Sequence, residues 1–159
     1  GNGSLMTDNY NNTKYWTSSD YIDEPYTLAA YIKKSTTRNN TKKLEYVWQI
    51  NKLDCNQPLN YFFAIENQIL KFGQSDRDAI GRLNRYRHQH PDEYMTLVFD
   101  ELYKGKNPRL YIRLAEGKMV DFSAGKEMCY QNTANLEARH IIRYQEAIGI
   151  KPIANSKIG

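Results

Sequence analysis

Apolar and aromatic residues are bunched into a few short runs along this chain, and the spacing within them predicts an α+β fold. The densest run, Tyr61-Phe62-Phe63-Ala64-Ile65, is apolar at every position. That is the pattern of a central strand buried on both faces. Glu66-Asn67-Gln68 reads as a tight turn, and Ile69-Leu70-Lys71-Phe72-Gly73 as the return strand of a hairpin. Two further strands are predicted over residues 94–103 and 109–115, joined by Lys104-Gly105-Lys106-Asn107-Pro108, with a third over 119–122.

Two segments follow a helical period. Ser75-Asp76-Arg77-Asp78 opens the first as a capping box, with both aspartates in the first turn, where negative charge is favoured. This helix is expected to run to about His90, ahead of Pro91. Its apolar face is Ala79, Leu83 and Tyr86, with Ile80 alongside, and Arg82 lies on that same face. The second helix spans Thr133 to Ile148 and stops at Gly149, a residue suited to a helix C-terminus. Its inner face is Ile141, Tyr144 and Ile148, and Glu137 falls on it. A carboxylate on a core stripe must be paired, protonated or metal-bound, because an isolated buried charge is very unfavourable.

The N-terminal third is less patterned. Residues 7–20 are polar and expected to form a flexible arm, and Gly1–Leu5 ahead of Met6 looks like an expression-tag remnant. Pro25 to Lys34 reads as a short helix, with proline at its first position and lysines in its last turn. Thr36 to Thr41 is a polar loop, and Leu44 to Leu53 is compatible with helix or strand.

Composition narrows the class. A chain of 159 residues suits one domain. No stretch approaches the ~20 apolar residues of a membrane span, and no signal-peptide pattern is present. Cys55 and Cys129 form neither a disulfide scaffold nor, with His88, His90 and His140, a zinc spacing, so a cytoplasmic location is expected. Net charge is +4. Arg85 and Arg87 in one basic segment, and Lys104, Lys106 and Arg109 in another, are candidate contacts for a phosphate backbone. Charge alone describes two solvated faces equally well.

The order is a tyrosine on a first strand, Lys-Phe-Gly-Gln-Ser closing a second, an arginine in the next helix and a glutamate in a later one. It resembles the GIY-YIG nuclease superfamily. Leu59-Asn60-Tyr61 stands where GIY would be, and Lys71-Phe72-Gly73 where YIG would be. The glycine and isoleucine of the first half are absent, and lysine replaces the second tyrosine. Lysine there is similar to the small K-I-G variant of the GIY-YIG type II restriction endonucleases. So are Gly73-Gln74-Ser75, Arg82-Leu83 with Tyr86 beyond, Leu136-Glu137-Ala138-Arg139 and Lys151-Pro152-Ile153. The likeness covers residues 58–90 and 133–154.

The resemblance implies a small central antiparallel sheet of three or more strands flanked by helices. The nuclease domain would be 58–154, preceded by the arm and a 21–57 extension, with 94–131 as a DNA-recognition insert. It also implies hydrolysis of double-stranded DNA with Mg²⁺, for which Mn²⁺ substitutes. Glu137 would hold the metal, Arg82 brace the phosphate, Tyr61 act as general base, and Lys71 tune the Tyr61 phenol downward. Gln74 would orient water or phosphate without exchanging a proton. A palindromic site would call for a homodimer. The alternatives are a homing or repair nuclease, a non-cleaving DNA-binding module on the same scaffold, or an interaction protein whose basic segments are merely solvated.

Overall fold

Six strands form one antiparallel sheet in the computed structural model, which describes residues 15–18, 21–36, 38–39, 41–66, 68–88 and 95–152. In chain order they are β1 (Tyr15–Ser18), β2 (Ile22–Thr36), β3 (Lys42–Trp48), β4 (Leu59–Ile65), β5 (Gln68–Ser75) and β6 (Arg109–Leu114). Helices α1 (Ala79–Arg85) and α2 (Thr96–Tyr103) lie between β5 and β6. A separate ribbon, β7 (Gly117–Phe122) and β8 (Gly125–Tyr130), precedes the final helix α3 (Thr133–Ile148). The sheet runs β1-β2-β6-β4-β5, and β3 pairs with the distal half of β2. Of the arm expected over residues 7–20, Tyr15–Ser18 is strand β1, paired antiparallel with β2, and not a flexible segment. The rest of it and the tail beyond Pro152 lie outside the described residues. No helix among the described residues is long and apolar enough to cross a membrane.

The hairpin read from the sequence is β4–β5, with Tyr61 opposite Gly73 and Phe63 opposite Lys71. All seven residues of β4 are buried, because both faces of the sheet are covered. Tyr61, Phe63 and Ile65 pack toward Leu83 of α1 and Val98, Phe99 and Leu102 of α2. Phe62 and Ala64 point the other way, toward Tyr26, Phe72, Tyr111 and the α3 residues Ile141 and Tyr144. Helix α3 has the expected span. Asn132 caps its start by accepting from the Asn135 amide at 3.0 Å, and Gly149 ends it at φ 97°.

Three expectations are corrected. Residues 25–34 are strand, not helix. A β-bulge between Leu28 and Ala30 places consecutive residues in the core, so the burial alternation is broken and imitates a helical stripe. Pro25 takes no part in either ladder, which suits its missing N–H. Residues 96–103 are helix, not strand: Val98, Phe99 and Leu102 are buried at spacings of one and three, as on a helix face. Helix α1 is shorter and starts later than read. Its cap is Asp78, whose carboxylate accepts from the Gly81 amide at 2.9 Å, while Ser75 ends β5. The expected end at His90 lies outside the described residues.

Leu44 to Leu53 resolves into β3 and a 3-10 turn at Lys52–Cys55. Residues 21–57 are built into the same sheet as the hairpin, and β6, from the expected insert, is a central strand between β2 and β4. Only β7–β8 stands apart from the core. Phe62→Ala is expected to lower unfolding free energy by ~3–5 kcal/mol. Met119→Ser on the exposed ribbon should stay within ~0.5 kcal/mol. Urea denaturation of both variants checks the pair.

Candidate active site

Strand β5 is the edge of the sheet, with α1 against one face and α3 against the other. Tyr61 reaches this edge because its strand partner is a glycine. A Cβ on Gly73 would lie 2.2 Å from Cζ of Tyr61 and 2.4 Å from its hydroxyl oxygen, so the phenol ring occupies the space a side chain would fill. The Tyr61 hydroxyl lies 2.7 Å from that of Tyr86, at the C-terminal end of α1. One turn earlier, Arg82 Nη1 donates to the Gln74 carbonyl at 3.0 Å, which holds the guanidinium against the β5 edge.

Helix α3 supplies the carboxylate. It is fixed to the sheet at its first turn, where Asn60 Nδ2 donates to the Thr133 carbonyl at 2.8 Å and Thr133 Oγ1 donates to Gln74 Oε1 at 2.8 Å. Two turns on, the Tyr26 hydroxyl meets His140 Nδ1 at 3.0 Å in a fully buried contact. Between these anchors Glu137 is only 6% exposed, and Lys71 only 7%.

Charges in this region act on one another. Burial raises the Glu137 carboxyl above the usual carboxylate range, opposed by the fields of Lys71 and then Arg82. Burial pushes the Tyr61 phenol well above its ordinary value. Tyr86 and Glu137 push the same way, and Arg82 opposes them. Tyr86 is also raised by burial, while its bond to Tyr61 and the Arg82 charge pull it down. Tyr61, Arg82 and Glu137 therefore lie within electrostatic reach of one another, and Lys71 within reach of Glu137.

Arg82 acts on the Tyr61 phenol, and Lys71 acts on the Glu137 carboxylate. The Gln74 carboxamide oxygen accepts from Thr133 and its carbonyl from Arg82, so Gln74 ties α3 and α1 to β5. Of the candidate phosphate contacts, Arg85 and Lys106 are exposed, Arg87 and Lys104 pair with Glu45 (3.8 Å) and Glu101 (3.5 Å), and Arg109 lies over the Tyr31 ring. None of these five is among the groups that perturb Tyr61 or Glu137, although Arg85 acts weakly on Tyr86.

Tyr86, Asn60 and His140 were not singled out from the sequence. Tyr86 carried a signal, four residues beyond Arg82 on the same helix face. Asn60 carried one too, as a polar residue opening an otherwise apolar run.

The donor set fits a hard divalent cation completed by substrate. Glu137 offers one carboxylate, and no group of three or more His, Cys, Asp or Glu side chains gathers among the described residues. Mg²⁺ characteristically takes one or two carboxylates, several waters and substrate phosphate oxygens.

The fold is shared with one solved structure, and a second aligns less closely. A mutant of bacteriophage T4 EndoII superposes with a TM-score of 0.52 at 17% identity, over 82% of this chain and 91% of that one. The restriction endonuclease HPY188I in complex with product DNA gives a TM-score of 0.46 at 19% identity, over 83% and 80% of the two chains. No protein-family model matches the sequence, and no curated protein matches it.

Gly73→Ala is expected to displace the Tyr61 ring and cost ~1–3 kcal/mol of stability, as overpacking does. Thermal unfolding and near-ultraviolet circular dichroism read both effects. Because the folded-state Glu137 carboxyl is raised, the wild-type fold is favoured below the unfolded carboxyl pKa and loses that advantage as pH climbs through the folded value. Glu137→Gln should therefore raise Tm at neutral pH, and the gain should vanish as pH falls below the carboxylate range.

Proposed function

We propose that this chain is a divalent-metal-dependent endonuclease of the GIY-YIG type that hydrolyses phosphodiester bonds in double-stranded DNA, as a restriction endonuclease does. What supports the reading is that the Tyr61 ring lies over Gly73 of β5, Arg82 donates to the Gln74 carbonyl of the same strand, and the charges of Lys71 and Arg82 act on the buried Glu137 carboxyl. The fold shared with a phage EndoII is consistent with it.

In this reading Glu137 would hold the metal, and the Lys71 charge opposes the protonation that burial favours. A Mg²⁺ or Mn²⁺ ion held there would supply charge neutralisation for phosphodiester hydrolysis. Arg82, held in place by the Gln74 carbonyl, braces the non-bridging oxygens with a planar guanidinium. Tyr61 Oη takes the proton of the attacking water. For that it must be phenolate, which burial and the Tyr86 hydroxyl 2.7 Å away both oppose. Its burial makes phenolate scarce at neutral pH, so the positive charge of Arg82 becomes part of the base.

Supercoiled plasmid should be cut with Mg²⁺ or Mn²⁺ and left intact with EDTA. Tyr61→Phe should slow cutting by about 10²–10⁴-fold while DNA binding changes little. Arg82→Ala should slow it by about 10²–10³-fold. Glu137→Gln should bind DNA without cutting. Because the Tyr61 phenol is raised, the wild-type rate should climb with pH from about 7 to about 9. Near-normal cutting by Tyr61→Phe would remove it as the base, and undiminished cutting in EDTA would remove the metal.

A further inference from the structure

Residues 33–43 read Lys-Lys-Ser-Thr-Thr-Arg-Asn-Asn-Thr-Lys-Lys, with no acidic residue, and every position not cationic is hydroxyl or amide. Cations interleaved with Ser, Thr and Asn are the composition that contacts phosphate and sugar. The structure places Lys33 to Thr36 at the end of β2 and Lys42 and Lys43 at the start of β3, and these strands pair from Ala30 opposite Trp48 to Thr36 opposite Lys42. The neighbouring strand β6 follows β2 only as far as Tyr31, so beyond that point β2–β3 is a two-stranded ribbon. Lys33, Lys34, Arg38 and Lys42 are exposed on it and Lys43 is half-buried.

The ribbon is joined to the helix that carries Arg82. His88 bridges Lys43, and the Leu44 amide donates to the Arg87 carbonyl at 2.7 Å. A line of cations therefore leads from Arg82 along α1 through Arg85 and Arg87, then across that junction to Lys43, Lys42 and Arg38. The acid beside this line, Glu45, is flanked by both Lys33 (3.9 Å) and Arg87 (3.8 Å). The other exposed ribbon, β7–β8, differs: Lys118 and Lys126 are offset by Asp121 and Glu127.

We infer that the β2–β3 ribbon is a second DNA contact, gripping the phosphate backbone without reading bases, joined to the chain just beyond the C-terminal end of α1. The inference rests on the endonuclease reading and adds the surface that holds the duplex. Seven paired residues at ~3.3 Å each extend about 23 Å, close to seven base pairs of duplex.

The test is fluorescence anisotropy with a labelled duplex in EDTA, over a NaCl series, with the triple variant Lys34→Gln/Arg38→Gln/Lys42→Gln. Circular dichroism checks that the fold is kept. The slope of log K against log salt should become shallower by about 2–3, and low-salt affinity should weaken by about tenfold or more. Cutting at saturating DNA with Mg²⁺ should stay within about twofold, since the loss lies in binding. Lys118→Gln/Lys126→Gln should leave the slope unchanged. A triple variant with wild-type slope and affinity overturns the ribbon's role while wild-type cutting stands. Wild-type protein that neither binds nor cuts duplex DNA removes the endonuclease reading, and the ribbon's role with it.

Discussion

A carboxylate taken out of water must be met by positive charge, and the arrangement around β5 follows from that constraint at Glu137. Its burial favours the neutral acid, and the nearby fields of Lys71 and Arg82 favour the carboxylate. The three depend on one another. Arg82 is tied to the edge strand through the Gln74 carbonyl, and α3 is held on the opposite face by Thr133, Asn60 and the Tyr26–His140 contact. Elements from both layers of the core are thus joined at one strand edge.

The tyrosine obeys a different constraint. Its ring crosses β5 over Gly73, where any side chain would clash, so the glycine is the space in which the phenol lies. Burial and the Tyr86 hydroxyl 2.7 Å away raise the phenol, while the Arg82 charge favours its anion. Groups whose protonation is set by such opposing terms are common at catalytic sites. Deep burial makes the site sensitive to every neighbouring charge, because screening by water is weak there.

Much of this was legible in the chain. The unbroken apolar run of β4, the glycine that ends the α3 period and the spacing of Arg82 and Glu137 on helix faces each follow from local rules. The failures were also local in origin. Around Leu28–Ala30 a bulge breaks the alternation of β2, so a strand imitates a helix. In α2, a β-branched and aromatic mixture imitates a strand, although its buried residues fall at helical spacing. Spacing gives the face that Lys71 shares but not the charge it meets across that face, which here includes the Glu137 carboxyl.

Sequence by itself determined which segments must be buried, where α3 begins and ends, and which four side chains are chemically able to act together. Tertiary structure decided whether they meet. Tyr61 and Glu137 belong to a strand and a helix separated by most of the domain, and pairing over such a distance depends on the sheet order β6-β4-β5 and on which face α3 covers. Side-chain periodicity repeats within one element and carries no information about its neighbours. Long-range packing, through the two-sided burial of β4 and the anchoring of α3, is what brings these separate stripes to the same edge of the sheet.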